Sequence, residues 1–175
     1  LFLLKSGLVK VSYISPDGDT KILDICEAND IFGELFLGDY RFRIGQAQAM
    51  TDSEVYLISE RDLYSIIQHY PQVSINFMRH LVNSHRRTMA RMHALQHTDA
   101  KSRLLGILLY LTRHMCCTEN QYFKLNPAIT QQDLADITGL NRSTVSSLIN
   151  KLRQDEVLGG SGRELLVNTA MIEAL

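Results

Sequence analysis

The 175-residue sequence predicts an α+β fold with three parts: a β-sandwich or barrel in residues 1–70, a long central helix in 71–97, and a winged helix-turn-helix in 98–175. Three observations support this fold class. Apolar and polar residues alternate over the first 58 positions, and apolar residues then recur at spacings of three and four. Near the end, Ala135, Gly139 and Val145 have the spacing of a helix-turn-helix.

Short strands with intervening turns are expected in the first part. The segment "GLVKVSYI" alternates apolar with polar residues, and "SPDGDT" supplies turn residues after it. A second turn is expected at 28–30, and two more strands are expected on either side of 51–53. Strands at such spacing indicate a sandwich or barrel. A barrel that starts inside a strand, as here, is expected to be incomplete.

Composition and charge restrict the class of protein. No apolar run reaches the roughly 18 residues that span a bilayer, and the first residues lack a cleavage site, so we expect a cytoplasmic protein without membrane contact. The three cysteines, Cys26, Cys116 and Cys117, are odd in number and argue against a disulfide framework. The neighbouring pair Cys116 and Cys117 is expected to consist of buried or idle thiols, with reactive redox cysteines as the alternative. The acidic first third and the mildly basic remainder suit a sensing part joined to an anion-binding part.

The central segment predicts a dimerisation helix. A short helix over 59–70 should stop at Pro71, because proline cannot continue it. Residues at spacings of three and four then form a seam for a parallel helix pair: Met78, Leu81, His85, Thr88, Met92 and Leu95. The alternative is a helix packed on its own domain. Polar residues weaken the packing of such a seam, so His85 and Thr88 would be expected there only if they set the register of the helix pair or contact a ligand.

The C-terminal part begins with Thr98 as the expected N-cap of a helix, and a polar loop is expected from its end to Pro127. Thr130 is expected to cap the next helix, with Asp133 completing a capping box. Gly139 suits a left-handed turn, and Asn141 can cap the following helix.

The outward face of that following helix predicts a DNA-binding surface. Its residues are short or rich in donors, as a surface that enters a major groove requires, whereas acidic side chains would repel phosphate. DNA-backbone contacts are expected from Thr130 and Gln131 before this helix and from Ser146 within it, and a wing contact from the glycine-rich hairpin after it. The candidate DNA-binding residues are Thr130, Gln131, Asn141, Arg142, Ser143, Ser146, Ser147, Asn150 and Arg163. The alternative is a merely polar helix pair.

These segments resemble the CRP/FNR family of bacterial transcription regulators. The matching pieces are "GDTKIL", "NDIFGEL", "TDSEVYLIS", "DAKSRLLGILLYL" and "ITQQDLADITGLNRSTVSSLINKL". The resemblance implies a jelly-roll β-barrel of the cyclic-nucleotide-binding type, partial because its first strands are absent. It also implies a homodimer that binds a palindromic operator, a contact with RNA polymerase if the protein is an activator, and a hinge near 98–101.

The same resemblance implies an effector site, for which the expected residues are Gly33, Glu34, Arg43 and Thr88. Cyclic AMP is possible as the effector but is disfavoured, because Ile44 replaces a phosphate-binding serine and Met89 replaces an adenine-contacting serine. Three alternatives remain: another small-molecule effector, no effector at all, or a redox or metal signal. The histidines are dispersed, and no metal site is expected.

The recognition helix departs from the cyclic-AMP-type pattern. Arg142 matches the first arginine of that pattern and is expected to contact guanine, but Ser143 replaces the glutamate and Ser147 replaces the second arginine. We therefore expect a different palindromic site. The alternative function is a ligand-binding module whose C-terminal domain docks on protein. No nucleophile–base pair or paired carboxylate indicates an enzyme.

Overall fold

The computed structural model describes residues 1–38, 45–114, 116–119, 122–126, 128–162 and 164–173. The chain divides into two compact units, Leu1–Thr88 and Met89–Leu175. Among the described residues, no helix has both the length and the apolar character that crossing a membrane demands.

The described residues of the first unit form six short strands in two antiparallel sheets, which confirms the prediction of a β-structure with short strands. One sheet has the order β4-β1-β6 and the other the order β3-β2-β5. The strands are β1 (Phe2–Ser6), β2 (Val9–Ile14), β3 (Thr20–Cys26), β4 (Ile31–Phe32), β5 (Gln46–Ala49) and β6 (Glu54–Leu57).

The chain passes from one sheet to the other between β1 and β2, at Gly7. This glycine has φ +96°, and a Cβ on it would overlap the side chain of Ser53 and the backbone of Asp52. Only glycine combines that conformation with so close an approach. The crossing allows Leu4 of β1 and Val9 of β2 to be buried in the same small core.

That core also contains the Cys26 thiol and a stacked pair of rings, Phe2 and Phe32, whose centroids are 5.1 Å apart. Cys26 is a free, buried cysteine. Burial first, and then the Asp24 carboxylate, raise the pKa of its thiol above the ordinary value. The thiolate that reacts with oxidants or metals is therefore disfavoured at this position.

Among the described residues, the first unit also contains two short helical segments, and a long helix runs from the first unit into the second. A 3₁₀ helix spans Glu34–Leu37, and α1 spans Glu60–His69, with the Ser59 side chain accepting a hydrogen bond from the Asp62 N–H at 3.1 Å. Helix α2 spans Pro71–Leu95, so Pro71 separates the two helices as predicted and occupies the first position of the second.

In the described part of the second unit, helices pack with a four-stranded antiparallel sheet of order β7-β8-β10-β9. Its core includes fully buried residues on one face of α3, namely Leu104, Ile107, Leu108 and Leu111. The elements are α3 (Ala100–His114), β7 (Cys116–Glu119), β8 (Tyr122–Leu125), α4 (Gln131–Thr138), α5 (Arg142–Gln154), β9 (Leu158–Gly159), β10 (Leu166–Val167) and α6 (Thr169–Glu173).

Two local predictions for this unit are wrong. The expected polar loop before Pro127 contains the hairpin β7–β8, because β8 pairs with the distant strand β10 and gains partners that local polarity does not reveal. The expected cap Thr98 is displaced by its neighbour Asp99, whose carboxylate accepts a hydrogen bond from the Ser102 N–H at 2.8 Å. That bond, first among several from nearby groups, lowers the pKa of Asp99 below its ordinary value.

Candidate nucleic-acid interface

Helix α4 begins with the predicted capping box. The Asp133 N–H donates to the Thr130 Oγ1 at 3.1 Å, and the Thr130 N–H donates to the Asp133 Oδ2 at 2.9 Å. Two backbone donors of the first turn are thereby satisfied, so the helix start is well defined. Leu134, Ala135 and Ile137 are buried, which leaves the opposite side, with Gln132, exposed.

The turn between α4 and α5 depends on Gly139, which has φ 71° and ψ 20° as predicted for a left-handed residue. Its N–H donates to the Ala135 carbonyl at 2.8 Å. Asn141 occupies the N-cap position of α5 with an extended backbone, but its side chain makes no capping hydrogen bond. The prediction of Asn141 as a side-chain cap is therefore wrong, and its exposed amide is available for another partner.

Helix α5 has one buried and one exposed face. Val145, Ile149 and Leu152 are completely buried, and Leu148 is half-buried. The opposite face carries the predicted polar residues, of which Ser146 is half-buried and the following are exposed: Arg142, Ser143, Ser147 and Asn150. The first turn contains no acidic residue. A helix with this face can approach a polyanion without a like-charge penalty.

The wing is the hairpin β9–β10, in which Leu166 pairs with Gly159 and Val167 pairs with Leu158. Arg153, in the last turn of α5, reaches the loop between these strands. Its Nη2 donates to the Glu164 carbonyl at 2.9 Å and to the Gly162 carbonyl at 3.3 Å. The predicted wing contact Arg163 lies outside the described residues.

A cleft of about 430 Å³ lies between the start of α4, the start of α5 and the wing loop. Three of the predicted DNA-binding residues line it together, namely Thr130, Gln131 and Arg142. The sequence did not identify the other lining residues, which are Ile129, Gln132, Gly162 and Leu165. The cleft opens beside the first turn of α4, where the positive end of the helix dipole favours an anion and the Asp133 carboxylate of the capping box opposes it.

The segment expected to act as a hinge is tied to α3 by one arginine that the sequence did not single out. The Arg103 guanidinium donates to the carbonyls of His97 at 3.2 Å and Thr98 at 3.3 Å, and to the Thr138 carbonyl of α4 at 3.4 Å. Arg103 thus links the segment before α3 to the end of α4. The sequence pattern does not predict this role for Arg103, because its hydrogen-bond partners are backbone carbonyls, which every residue has.

The expected effector residues lie in the first unit, apart from Arg43, which with Ile44 lies outside the described residues. Gly33 has φ +75° and precedes the 3₁₀ helix that begins at Glu34. Glu34 and Thr88 are both half-buried. The neighbouring Met89 is 51% exposed.

A second feature of this unit connects the turn before β4 to α2. Arg87 and Asp30 form an ion pair at 3.1 Å, in which the side chains are only 19% and 16% exposed. The same carboxylate accepts a hydrogen bond from the Glu27 N–H at 3.0 Å, and a nitrogen of the His80 ring lies 3.2 Å from the Ile31 carbonyl. Two side chains of α2 therefore hold this turn.

The predicted seam lies on a largely exposed side of α2. Its apolar members Met78, Leu81 and Met92 are exposed, as is His85, whereas Thr88 and Leu95 are half-buried. Further exposed apolar residues on this helix are Ile75, Val82 and Met89.

Two family models match the chain, one on each side of α2. The model of the cyclic nucleotide-binding domain matches residues 1–70, and the model of the Crp-like helix-turn-helix domain matches residues 102–174. The second match contains α3, α4, α5 and the wing, and so includes the cleft and most of the exposed polar face described above.

Similar proteins span nearly the whole chain. A CRP-like cAMP-activated global transcriptional regulator of Mycobacterium tuberculosis is 27% identical over 168 residues, which cover 96% of this chain and 75% of that protein. The cyclic AMP receptor protein of Thermus thermophilus is 26% identical over 178 residues, covering all of this chain and 78% of that protein. The anaerobic regulatory protein of Bacillus subtilis is 26% identical and covers 90% of this chain and 67% of that protein.

Solved structures show the same architecture. A CRP-family transcriptional regulator from Thermus thermophilus superposes with a TM-score of 0.73 at 25% identity, covering 99% of this chain and 85% of that chain. A CooA mutant from Carboxydothermus hydrogenoformans superposes with a TM-score of 0.81 at 25% identity, covering 99% of this chain and 77% of that chain. The predicted fold class is thereby confirmed, with an N-terminal β-roll and a C-terminal helix-turn-helix domain. The chain belongs to the CRP/FNR family of transcription regulators and is a DNA-binding regulator rather than an enzyme.

Proposed function

We propose that the protein binds a palindromic operator as a homodimer, with α5 of each protomer in a major groove. The observation that carries this proposal is the cleft between the starts of α4 and α5 and the wing, where Thr130, Gln131 and Arg142 meet. Half-sites about 34 Å apart would match two recognition helices related by a two-fold axis. None of the similar proteins named above favours the alternative of a C-terminal domain that docks on protein.

Different contacts are proposed for different parts of this surface. Arg142 addresses a guanine edge through two hydrogen bonds, and Ser143 and Ser147 reach bases or phosphates. Backbone phosphates are contacted by residues around the start of α4 and by the wing, where donors and the helix dipole favour anions. The residues proposed to contact the DNA backbone, directly or from the wing, are Thr130, Gln131, Ser146 and Arg163. Asn141 and Asn150, near the two ends of α5, are proposed as further DNA contacts.

Replacement of Arg142 by alanine is expected to cost about 1–3 kcal/mol of operator binding, because a bidentate guanine contact is lost. Specificity at one base pair should relax, while binding to random duplex DNA should change little. Fluorescence anisotropy with operator and random duplexes at several salt concentrations would measure both.

The matched control is Arg142→Lys, which keeps the positive charge but lacks the planar guanidinium that donates two parallel hydrogen bonds. If Arg142 reads guanine, the lysine variant should lose specificity and keep the salt slope. Parent-like specificity in both variants would show that this residue does not read a base.

The homodimer is proposed to form through the seam of Met78, Leu81, His85, Thr88, Met92 and Leu95 on α2. Support comes from exposure, because three apolar members of the seam lie uncovered in the single chain. Ile75, Val82 and Met89 extend this surface, since with Met78, His85 and Met92 they also repeat at spacings of three and four. A parallel helix pair would bury such a stripe.

The proposed arrangement has an effector part in residues 1–70, a dimerisation helix in 71–97 and a DNA-binding part in 98–175. A signal at the β-roll would shift the helix pair, and the hinge near 98–101 would reorient the recognition helices. The contacts of Arg103 with His97, Thr98 and Thr138 suit a hinge that moves with the DNA-binding part. We further propose a cytoplasmic location and, if the protein is an activator, a contact with RNA polymerase.

The proposed effector site consists of Gly33, Glu34, Arg43 and Thr88. Its ligand does not follow from the relatives, because proteins of nearly equal identity are named for different signals: cAMP activation at 27%, anaerobic regulation at 26% and global nitrogen regulation at 26%. Cyclic AMP is disfavoured by Ile44 and Met89, since neither side chain offers the hydroxyl that a serine would donate to the ligand.

We expect isothermal titration of cyclic AMP into the protein to give no saturable heat. Ile44 cannot replace a phosphate-binding hydroxyl, and a phosphate desolvated without its full set of donors binds poorly. A nucleotide with a different base, titrated in parallel, serves as the comparison. Saturable micromolar binding of cyclic AMP alone would mean that Glu34, Arg43 and Thr88 suffice.

A further inference from the structure

We infer that α2 pairs with a second copy of the chain through an exposed stripe opposite its packed face, and that protonation of His85, in the middle of this stripe, separates the pair. The inference rests on the proposed homodimer and specifies its register and its regulation. The exposed stripe repeats at spacings of three and four and consists of Ile75, Met78, Val82, His85, Met89 and Met92.

The packed face of α2 is defined by contacts within each unit. In the first unit, Arg87 pairs with Asp30 at 3.1 Å, and a ring nitrogen of His80 lies 3.2 Å from the carbonyl at the start of β4. In the second unit, Ala94 is buried, and a Cβ added to Gly106 would lie 3.1 Å from the Ala94 Cβ. Positions 80, 87 and 94 are seven residues apart and share one side of the helix. That side is occupied by the protein's own chain.

The exposed stripe lies on the other side of α2. At about 3.6 residues per turn, its middle is about half a turn from the packed face. Its five apolar members are 41–59% exposed, and His85 is exposed as well. Leu81, Thr88 and Leu95 lie about a quarter turn away and are less exposed, so they border the stripe. The centre of a helix pair therefore falls on the exposed stripe, with those three residues at its edge.

A parallel second copy of α2 suits this stripe. Arg79 and Arg86 border it on one side, and Leu81 and Thr88 border it on the other. In a parallel pair related by a two-fold axis, one border meets the other, so the arginine stems lie over uncharged side chains. In an antiparallel pair, arginines would meet arginines and repel each other. The stripe is thus complementary to itself in the parallel arrangement.

His85 interrupts the otherwise apolar stripe. Equal positions face each other in a parallel pair, so two His85 rings would meet near the axis, between layers formed by Val82 and Met89. A neutral ring can donate a hydrogen bond to the other ring. Two protonated rings would instead place like charges together in apolar surroundings. Pairing therefore excludes protons from this position.

The charged groups around His85 do not compensate for such a charge. Helix α2 contains no aspartate or glutamate, and Arg86 is the next residue, so a second copy of α2 brings no carboxylate either. The carboxylates of the turn that contacts α2, Glu27 and Asp30, belong to the packed face, where Asp30 pairs with Arg87. Among the described residues, the charge nearest to His85 along α2 is therefore positive.

Dimerisation should consequently weaken on acidification. Histidine side chains in general gain a proton near pH 6.5. The separated chains bind this proton and the pair does not, so pairing is fully favoured above that range and is lost as the pH falls through it. Between pH 7.5 and 5.5, exclusion of one proton per pair raises the dissociation constant roughly tenfold, and exclusion of two raises it roughly 100-fold.

Sedimentation equilibrium of the protein at pH 7.5 and 5.5, at equal ionic strength, measures this change. We expect the dissociation constant of the parent dimer to rise by roughly ten- to 100-fold on acidification. His85→Asn keeps a polar side chain but cannot gain a proton, so it should pair equally at both pH values. The matched control is His69→Gln, which removes an exposed histidine outside α2 and should keep the parent's pH dependence. Circular dichroism at both pH values shows that each variant is folded.

A second pair of variants tests the register. Val82→Lys places a charge inside the exposed stripe and should separate the pair even at pH 7.5. Leu81→Lys changes the neighbouring residue, on the border of the stripe, and should keep most of the dimer. If Leu81→Lys separated the pair and Val82→Lys did not, the exposed stripe would not be the centre of the interface.

The outcomes distinguish this inference from the homodimer on which it rests. A dissociation constant that is the same at both pH values, or an equal pH dependence in the parent and in His85→Asn, would overturn the role of His85 and leave the homodimer intact. If the parent protein stayed monomeric at pH 7.5 at concentrations that saturate the operator, the proposed homodimer itself would fail instead.

Discussion

Replacement of Ile149 by alanine is expected to lower the free energy of unfolding of the helix-turn-helix by about 2–5 kcal/mol. Ile149 is completely buried on the inner face of α5, beside Val145 and Leu152, which are also completely buried. Truncation removes apolar contacts and leaves a cavity that a closely packed core fills only in part. Few surface changes approach this magnitude.

The loss can be measured as weakened hydrogen-exchange protection of the backbone amides of α4 and α5, and as a lower urea midpoint. The matched control is the next residue, Asn150→Ala, which is exposed on the same helix and should unfold like the parent protein. Well below its melting temperature, the Ile149→Ala variant should keep most of its operator affinity, because the exposed face is unchanged. Equal protection in the two variants would contradict the assignment of the inner face.

The helix-turn-helix was predictable because its signals are local. Thr130 and Asp133 form a capping box across three residues, and Gly139 alone tolerates the left-handed turn without strain. The choice of inner and outer faces followed from helical period, and the buried Val145 and Ile149 confirm it. Ala135, which the spacing placed in the first helix of the motif, is buried as well.

The features that the sequence did not reveal depend on partners far away in the sequence or on backbone atoms. Strand β8 owes its pairing to β10, some forty residues later, so the segment before it reads as a polar loop. Arg153 and Arg103 bond to carbonyl oxygens, which every residue carries and no sequence pattern marks. At the start of α3, Thr98 and Asp99 are both good caps, and a shift of one residue decided between them.

In the β-roll, too, local features were predictable from the sequence and long-range pairings were not. Alternation identified the strands and the turns between them, yet it could not state which strands share a sheet. The ion pair between Asp30 and Arg87 joins residues 57 positions apart, and each alone reads as an ordinary surface charge. Its strength comes from burial, which only the folded chain supplies.

The second large effect is expected from Arg87→Met, which should lower the free energy of unfolding by about 2–4 kcal/mol at neutral pH. The variant leaves Asp30, a largely buried carboxylate, without its guanidinium partner at 3.1 Å. Removing one partner of a buried pair costs more than the pair contributes, because the remaining charge stays desolvated. The matched control is Arg86→Met on the exposed side of α2, where the cost should be within about 0.5 kcal/mol of zero.

The deficit of Arg87→Met should shrink as the pH falls from 7 towards about 4, where carboxylates gain protons. Glu27 lies in the same turn, and burial followed by the Asp30 charge raises its pKa above the ordinary value, while Arg87 opposes the rise. A carboxyl with a raised folded-state pKa favours the folded protein at low pH and loses that contribution as the pH increases. Without Arg87 the pKa of Glu27 rises further, so the variant suffers most at neutral pH. Urea unfolding at both pH values, with Asp30→Asn and the double variant completing a cycle, tests this; a deficit independent of pH would mean that Arg87 stabilises the turn by packing and not by charge.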